Sequence, residues 1–197
     1  MIIGSKVYKT TTTGLIYKSL QLNVLIEGFY DAVPNSMVGD TAVVYLRSSI
    51  SPYSKIDSAK ALVNPNGVGT FDFVNVNNDV NYYISIKHRN SIETWSSSAQ
   101  SFVANSLNYD ITTSQSQAFG NNLRRVNSAP VRFAIFGGDV DQDGTVDATD
   151  LSAIDNNASN FISGYVVTDL TGDDFVDGTD FAIADNNAAS FVSVIRP

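Results

Sequence analysis

The feature that most constrains the fold of this chain is a repeat in its C-terminal part with a period of 30 residues. Residues 139–150 (DVDQDGTVDATD) align with residues 169–180 (DLTGDDFVDGTD), and the alignment continues through identical triplets at 155–157 and 185–187. A repeat of this kind indicates two copies of one small unit that pack on each other, because neither copy can bury a core alone.

Each copy begins with a twelve-residue loop that carries side-chain oxygens at positions 1, 3, 5, 9 and 12. This is the spacing at which an EF-hand-like loop wraps a hard cation, with the backbone carbonyl of position 7 as a further ligand. Calcium takes about six to eight oxygens in flexible geometry, so the pattern favours calcium over magnesium and predicts two ions. The expected ligands are Asp139, Asp141, Asp143, Thr145, Asp147 and Asp150 in loop 1, and Asp169, Thr171, Asp173, Phe175, Asp177 and Asp180 in loop 2.

The two loops are not equivalent. Position 6 must turn sharply with a positive φ, which suits Gly144 in loop 1 better than Asp174 in loop 2. Loop 2 also has Thr171 at position 3, where loop 1 has a carboxylate. We therefore predict that loop 2 binds calcium more weakly than loop 1.

A helix is expected after each loop, because the apolar residues there recur at helical spacing. We expect these stripes, together with Val146 and Val176 at position 8 of the loops, to form a core between the two copies. The stripes are Leu151, Ile154, Ala158 and Phe161 in the first copy, and Phe181, Ala184, Ala188 and Phe191 in the second.

A loop that ends in Asp and is followed by one helix, present twice in tandem, resembles the dockerin family over residues 137–197. The resemblance implies calcium-dependent folding and binding to a cohesin domain of a scaffold or cell-surface protein, in a cellulosome-like complex. It also implies that the partner is recognised at positions 10 and 11 of each loop and further along each helix. The corresponding residues are Ala148, Thr149, Asp155, Asn156, Gly178, Thr179, Asp185 and Asn186. Many dockerins carry a basic residue on the helix, which is absent here, so the resemblance leaves the identity of the cohesin open.

Residues 20–136 have the pattern of a β-domain, after a Thr-rich N-terminal tail at residues 1–19. Short runs of alternating apolar residues, separated by Asn, Gly and Pro turns, predict about seven strands of a β-sandwich. The runs lie at residues 20–26, 43–46, 69–76, 82–87, 102–103, 107–112 and 131–136. Residues 69–87 resemble transthyretin-like sandwiches, and a sandwich joined so closely to a dockerin resembles an X-module–dockerin pair.

The predicted fold class is therefore α+β in two domains. An all-β immunoglobulin- or transthyretin-like sandwich is followed by a small α-helical dockerin with two EF-hand-like calcium loops. The junction is expected at residues 136–138, where only two glycines separate the last strand from loop 1. So short a link leaves little independent motion between the two parts.

The charges of the chain are divided unevenly between these parts. Residues 1–136 carry 11 Lys and Arg against 8 Asp and Glu, whereas residues 137–197 carry 1 Arg against 12 Asp. Such a density of Asp repels itself unless cations lie among the carboxylates. Nucleic acid is not expected as a partner, since no basic patch is present to neutralise phosphates. No apolar run approaches the length of about 18 residues that a membrane-spanning helix needs, so no span is expected.

Few charged residues and abundant Ser, Thr and Asn are typical of secreted bacterial proteins, and we expect an extracellular location. The start of the chain lacks the apolar stretch of a signal peptide, so we expect a piece of a longer secreted protein, monomeric when unbound. Catalysis is not expected, because His88 is the single histidine and no nucleophile motif accompanies it. Two alternatives to docking stay open: a calcium-stabilised structural module without a cohesin, and carbohydrate binding by the sandwich through residues such as Trp95.

Overall fold

The computed structural model describes residues 16–197, which form twelve β-strands followed by two α-helices. The strands are β1 (Lys18–Asn23), β2 (Tyr30–Asp31), β3 (Ser36–Met37), β4 (Asp40–Ser48), β5 (Lys55–Val63), β6 (Val68–Phe73), β7 (Asn81–His88), β8 (Ser91–Trp95), β9 (Gln100–Ser101), β10 (Ser106–Asp110), β11 (Arg124–Ser128) and β12 (Val131–Ala134). The helices are two short 3₁₀ turns (Gln115–Gln117 and Phe119–Asn121), then α1 (Ala148–Ser159) and α2 (Gly178–Ala189).

Two main sheets form the β-domain. One has the order β10-β1-β6, in which β1 is parallel to β10 and antiparallel to β6. The other has the antiparallel order β5-β4-β7-β8, with β9 beside β7. Two smaller antiparallel pairs, β2–β3 and β11–β12, complete the domain.

The inward faces of the two sheets share one apolar core. Every second residue of β4 and of β6 is buried, as the two-residue period of a strand requires. Leu20 and Phe71 from one sheet lie in the same cluster as Leu46 and Ile84 from the other. The predicted β-sandwich followed by a small helical part is therefore confirmed at this level of detail.

The number and ends of the strands differ from the prediction. The strands expected at residues 20–26, 69–76, 107–112 and 131–136 are present but end earlier, at Asn23, Phe73, Asp110 and Ala134. β1 starts at Lys18, before the boundary predicted at residue 20, and residues 1–15 of the predicted tail lie outside the described range. The expected strand at 102–103 is reduced to isolated bridges beside β9.

Six strands lie outside the predicted set: β5, β8, β11 and the two-residue strands β2, β3 and β9. β5 is an edge strand whose inward positions before Val63 are the small or polar residues Asp57, Ala59 and Ala61, so its apolar alternation is weak. All five residues of β8 are buried, including Ser91 and Glu93, and its sequence therefore lacks the polar–apolar alternation of a half-exposed strand. The prediction of about seven strands was too low for this reason.

The helical part confirms the expected order of loop and helix in both copies. Ile154 of α1 and Ala184 of α2 are fully buried in a second apolar cluster with the loop residues Val146 and Val176. Ile92 of β8 lies in the same cluster, so the core of the helical part extends into the β-domain.

The predicted helical stripes extend beyond the observed helices, which end at Ser159 and Ala189. Phe161 and Phe191 follow the helices and are 85% and 88% exposed, so they are not core residues. Their backbones adopt φ values of 54° and 55° in the left-handed region, where the chain leaves the helix. The helical periodicity that the stripes assume therefore stops before these residues.

Residues 136–138 form an ordered junction between the two parts. Ile92 N donates to Phe136 O at 2.9 Å, and Gly138 N donates to Asn90 O at 2.8 Å, so the junction pairs with the start of β8. None of the helices among residues 16–197 has the length and hydropathy needed to cross a membrane.

Candidate metal centre

Loop 1 (residues 139–150) brings three carboxylates together. One oxygen from each of Asp139, Asp141 and Asp143 lies within 4.8 Å of the others. The loop holds two of them through its own backbone, because Asp141 Oδ1 accepts from Asp143 N at 3.0 Å and Asp143 Oδ1 accepts from Thr145 N at 2.8 Å. Among residues 16–197 this is the one group of three or more acidic, His or Cys side chains close enough to share an ion.

Asp139 is the most strongly perturbed of these carboxylates. The residue is 1% exposed, and its buried Oδ1 has no hydrogen-bond partner among the described residues. Burial raises the pKa of Asp139 to about 6, against a hydrogen bond from Gly144 N, and the charges of Asp150, Asp143 and Asp141 raise it further. A bound cation would relieve both the missing partner and the repulsion, so the residues present fit a hard divalent ion.

The last residue of each loop ties its loop closed. Asp150 Oδ1 accepts from Val140 N at 2.8 Å, and its Oδ2 accepts from Asp147 N at 3.0 Å. Asp180 makes the equivalent bonds in loop 2, and in both copies position 9 caps the following helix in a capping box. Burial raises the pKa of Asp150 and of Asp180, although these hydrogen bonds oppose the rise.

Loop 2 (residues 169–180) arranges its position-1 carboxylate differently. Asp169 Oδ1 accepts from Gly172 N at 2.7 Å and from the Thr171 hydroxyl at 3.3 Å. Asp169 Oδ2 accepts from Asp174 N at 3.3 Å. Both oxygens therefore have partners within the loop, whereas Oδ1 of Asp139 has none.

Position 6 has a positive φ in both loops, as the sharp turn requires. The value is 98° at Gly144 and 66° at Asp174. A residue with a Cβ is strained in this region, and Asp less so than most. The backbone thus has the asymmetry on which the prediction of a weaker loop 2 is based, while the two affinities stay a prediction.

The remaining predicted ligands take equivalent positions in the two loops. Asp173 and Asp177 each accept from the backbone N–H two residues ahead, as Asp143 and Asp147 do in loop 1. The position-7 residues lie in matching antiparallel bridges, Thr145 opposite Ser193 and Phe175 opposite Ser163.

The two copies interlock through position 8. Val146 and Val176 are buried in one cluster, as predicted. Their N–H groups donate to Val192 O at 2.9 Å and to Ile162 O at 3.0 Å, so each loop pairs with the segment after the helix of the other copy. Neither loop therefore holds its shape independently of the other copy.

The residues expected to bind a partner lie on the surface of the helical part. All eight are exposed: Ala148, Thr149, Asp155, Asn156, Gly178, Thr179, Asp185 and Asn186. They begin the two helices and continue on the outer face of each.

The polar residues that join the loops to the β-domain were not predicted from the sequence. Asn90, in the turn between β7 and β8, donates from Nδ2 to Asp169 O at 2.7 Å. Gln142 in loop 1 donates from Nε2 to Asp139 O at 2.7 Å and to Ser91 O at 3.2 Å. The only sequence signal is the polar run at residues 87–90 between two apolar segments, which is typical of any hairpin turn.

His88 lies at the centre of a buried polar row. Its Nε2 is 3.0 Å from Asp40 Oδ2 and its Nδ1 is 3.1 Å from Ser91 Oγ. The order resembles a Ser–His–Asp triad, but Ser91 is fully buried and no substrate can reach its hydroxyl. Burial alone would raise the pKa of Asp40, but hydrogen bonds from His88, Tyr165 and Arg89 hold it well below its usual range.

Trp95 is a core residue and not a platform for sugar rings. It is 2% exposed, and its indole lies edge-on to Tyr53 at 6.2 Å between ring centroids. The Arg47 guanidinium lies 4.8 Å from the indole centroid. Carbohydrate binding through this side chain is therefore not supported by its position.

Comparison with known proteins gives a distant likeness. No family model and no curated protein matches the chain. Among solved structures, it is similar to a chain of a type II cohesin–X–dockerin complex from Acetivibrio cellulolyticus, described as an N-terminal interface mutant. The TM-score is 0.44 and the sequence identity 14%, over 87% of this chain and 93% of that chain.

Proposed function

We propose that residues 137–197 are a calcium-dependent docking module of the dockerin type, and that loops 1 and 2 each bind one calcium ion. The observation that carries the proposal is the buried Oδ1 of Asp139, which has no partner in a cluster of three carboxylates. A carboxylate buried among others of the same charge is costly unless a cation lies between them. Calcium at this position would stabilise the loop and, through it, the helix that follows.

Two exposed phenylalanines support a docking role for the same part of the chain. Phe161 and Phe191 occupy equivalent places in the two copies, and both are almost fully exposed. Each also adopts a positive φ, which a bulky side chain tolerates poorly. The positive φ ends each helix, and the exposure of both rings at equivalent positions favours an interaction surface.

An open groove of about 640 Å³ lies beside Phe191 and is lined by both copies. Ala148 and Leu151 of α1 contribute to its floor with Ala188 of α2. The groove adjoins the expected recognition residues Asp185 and Ala148, so apolar and polar contacts are available together. A protein surface is the partner that such a mixed face fits.

A cohesin domain is the partner we propose, because the tandem loop-and-helix repeat resembles the dockerin family. The module would then join an extracellular protein to a complex without catalysing a reaction. Calcium is abundant outside cells, where modules of modest affinity are filled.

The test is titration calorimetry of residues 1–197 against a panel of purified cohesins, with calcium and with EGTA. We expect binding to at least one cohesin in calcium and none in EGTA. The double variant Asp139→Asn/Asp141→Asn should abolish binding, while Asp79→Asn, an exposed Asp of the β-domain, should not change it. Calcium-independent binding, or no calcium bound by the unmodified chain, would contradict the proposal.

The second candidate is a calcium-stabilised structural module without a cohesin. The ordered junction at residues 136–138 favours it, because the helical part packs on the β-domain instead of extending freely. The two functions differ in one result. A structural module gains thermal stability with calcium and binds no member of a broad cohesin panel.

A further inference from the structure

One short turn of the β-domain reaches the start of both loops. Asn90 Nδ2 donates to Asp169 O at 2.7 Å, and Asn90 O accepts from Gly138 N at 2.8 Å, immediately before loop 1. Gln142 completes the contact by donating to Ser91 O at 3.2 Å. The turn between β7 and β8 is thus shared by the two proposed calcium sites.

Only loop 2 receives a charge from this turn. Arg89 Nη2 lies 3.5 Å from Asp169 Oδ2, and Arg89 Nε lies 2.9 Å from Asp40 Oδ2. The guanidinium also lies over the rings of Tyr165 at 4.3 Å and Phe29 at 5.3 Å. The side chain is 12% exposed, so its position is fixed and its charge is weakly screened.

Among residues 16–197, loop 1 has no equivalent cation. Within the described part of the chain, no ion pair joins Lys, Arg or His to an Asp of loop 1. At the corresponding position, Oδ1 of Asp139 has no partner in the part of the chain that the structure describes, whereas both oxygens of Asp169 accept hydrogen bonds. The copies therefore differ more in local charge than their aligned sequences indicate.

We propose that Arg89 is a built-in counter-ion of loop 2. It holds Asp169 in place before calcium arrives, and its positive charge weakens calcium binding at loop 2. Loop 1 consequently fills first, and loop 2 keeps its shape without metal. This proposal rests on the proposed calcium binding of the two loops and adds the reason for their order of filling.

The test is a calcium titration of residues 1–197 carrying Arg89→Gln, followed by NMR. The backbone amides of Gly144 and Asp174, at position 6 of each loop, report the two sites separately. We expect the affinity of loop 2 to rise by about tenfold, the size of one unit charge acting on a divalent ion across several ångströms of partly solvated protein. The affinity of loop 1 should not change.

A second measurement addresses the calcium-free state. In EGTA, the amide of Gly172, which donates to Asp169, should exchange with solvent faster in Arg89→Gln than in the unmodified chain. The control is Arg125→Gln, which removes the same charge from an exposed position and should change neither affinity nor exchange. Because Arg89→Gln leaves Asp40 with one cation fewer, Arg89→Gln/Asp40→Asn is measured beside it as a variant without a buried unpaired charge.

The outcomes separate the two proposals. Two calcium sites in the unmodified chain, with loop 2 unchanged or weakened in the Arg89 variants, overturn the counter-ion role and leave calcium binding intact. No calcium at either loop of the unmodified chain overturns both. A tenfold gain confined to loop 2 supports both.

Discussion

The side-chain amide of Asn187 in α2 donates a 2.6 Å hydrogen bond to Oε2 of Glu27, 160 positions earlier in the chain. The same amide donates to Gly137 O at 2.9 Å, and Gly137 N donates to Glu27 Oε2 at 3.1 Å. Burial raises the pKa of Glu27, and the hydrogen bonds from Asn187 and Gly137 oppose that rise. This contact joins the helical part to the β-domain.

Asn187→Ala should lower the free energy of unfolding by about 2–3 kcal/mol, because it removes a donor from a buried carboxylate. The matched control is Asn157→Ala, the equivalent residue of α1, whose amide donates at 2.7 Å to the hydroxyl of Thr168. A neutral bond of that kind is worth about 1 kcal/mol. Urea unfolding of both variants checks the difference, and equal losses would contradict the importance of Glu27.

Gly28 is the second close contact between the two parts. It has a φ of 85°, and a Cβ at this position would lie 2.2 Å from Leu170 O at the start of loop 2. Gly28→Ala should therefore lower stability by about 3 kcal/mol or more, since neither backbone can move freely.

The control for Gly28→Ala is Gly164→Ala, which has a φ of 93° and open space around the added Cβ. Its cost should be limited to the strain of the left-handed region, about 1–2 kcal/mol. Thermal unfolding of both variants separates strain from collision. Equal melting temperatures would show that Leu170 moves away at little cost.

Position 6 of loop 2 gives a prediction about calcium affinity. Asp174→Gly relieves the backbone strain at a φ of 66° and should stabilise the filled loop by about 1 kcal/mol. Asp174→Asn removes the same charge but keeps the Cβ, so it should stabilise the filled loop less than Asp174→Gly does. Calcium titration of the two variants distinguishes strain from charge, and identical affinities would exclude strain as the cause.

Substitution of the exposed phenylalanines should affect partner binding but not the stability of the fold. Phe161→Ser and Phe191→Ser should change the free energy of unfolding by no more than about 0.5 kcal/mol, because neither ring is buried. Each should weaken cohesin binding by about tenfold or more if the rings are contact residues. Val33→Ser, at a 94% exposed position of the β-domain, is the control and should change neither quantity. Unchanged binding in both Phe variants would remove these rings from the docking surface.

Asp40 gives a pH dependence of stability. Hydrogen bonds from His88, Tyr165 and Arg89 hold its pKa below the unfolded value near 4, so the folded chain favours the charged form. This contribution is fully present above about pH 4 and is lost as the pH falls below it. Asp40→Asn should lower the free energy of unfolding by about 3 kcal/mol at neutral pH. The variant should also lose less stability than the unmodified chain as the pH falls below about 4. If this variant loses as much stability at low pH as the unmodified chain, other carboxylates are the cause of that loss.

The parts of the fold that depend on local spacing were predictable from the sequence. The loops and helices of both copies follow from Asp and apolar residues at fixed intervals, and Asp139, Asp141 and Asp143 do come together. Partners separated by long stretches of chain were not predictable. Asn157 and Asn187 lie in identical triplets, yet only Asn187 faces the β-domain.

Strand β8 shows the same limit. Glu93 is 4% exposed, and it is held there by the hydroxyl of Ser85 at 2.7 Å and by Arg47 at 3.2 Å. Ser85 lies on the adjacent strand β7 and Arg47 on β4 beyond it, so nothing in the local sequence marks Glu93 as buried. Arg89 was missed for the same reason, since its role depends on Asp169, 80 positions further along the chain.

The pairing of residues 136–138 with the start of β8 has a mechanical consequence. If a partner binds on α1 and α2 as proposed, tension between it and the β-domain would not act on a flexible linker. It would be shared by the bonds from Ile92 to Phe136 and from Gly138 to Asn90, and by the contact of Asn187 with Glu27. Force between the two parts would therefore act on these hydrogen bonds and not on a flexible linker.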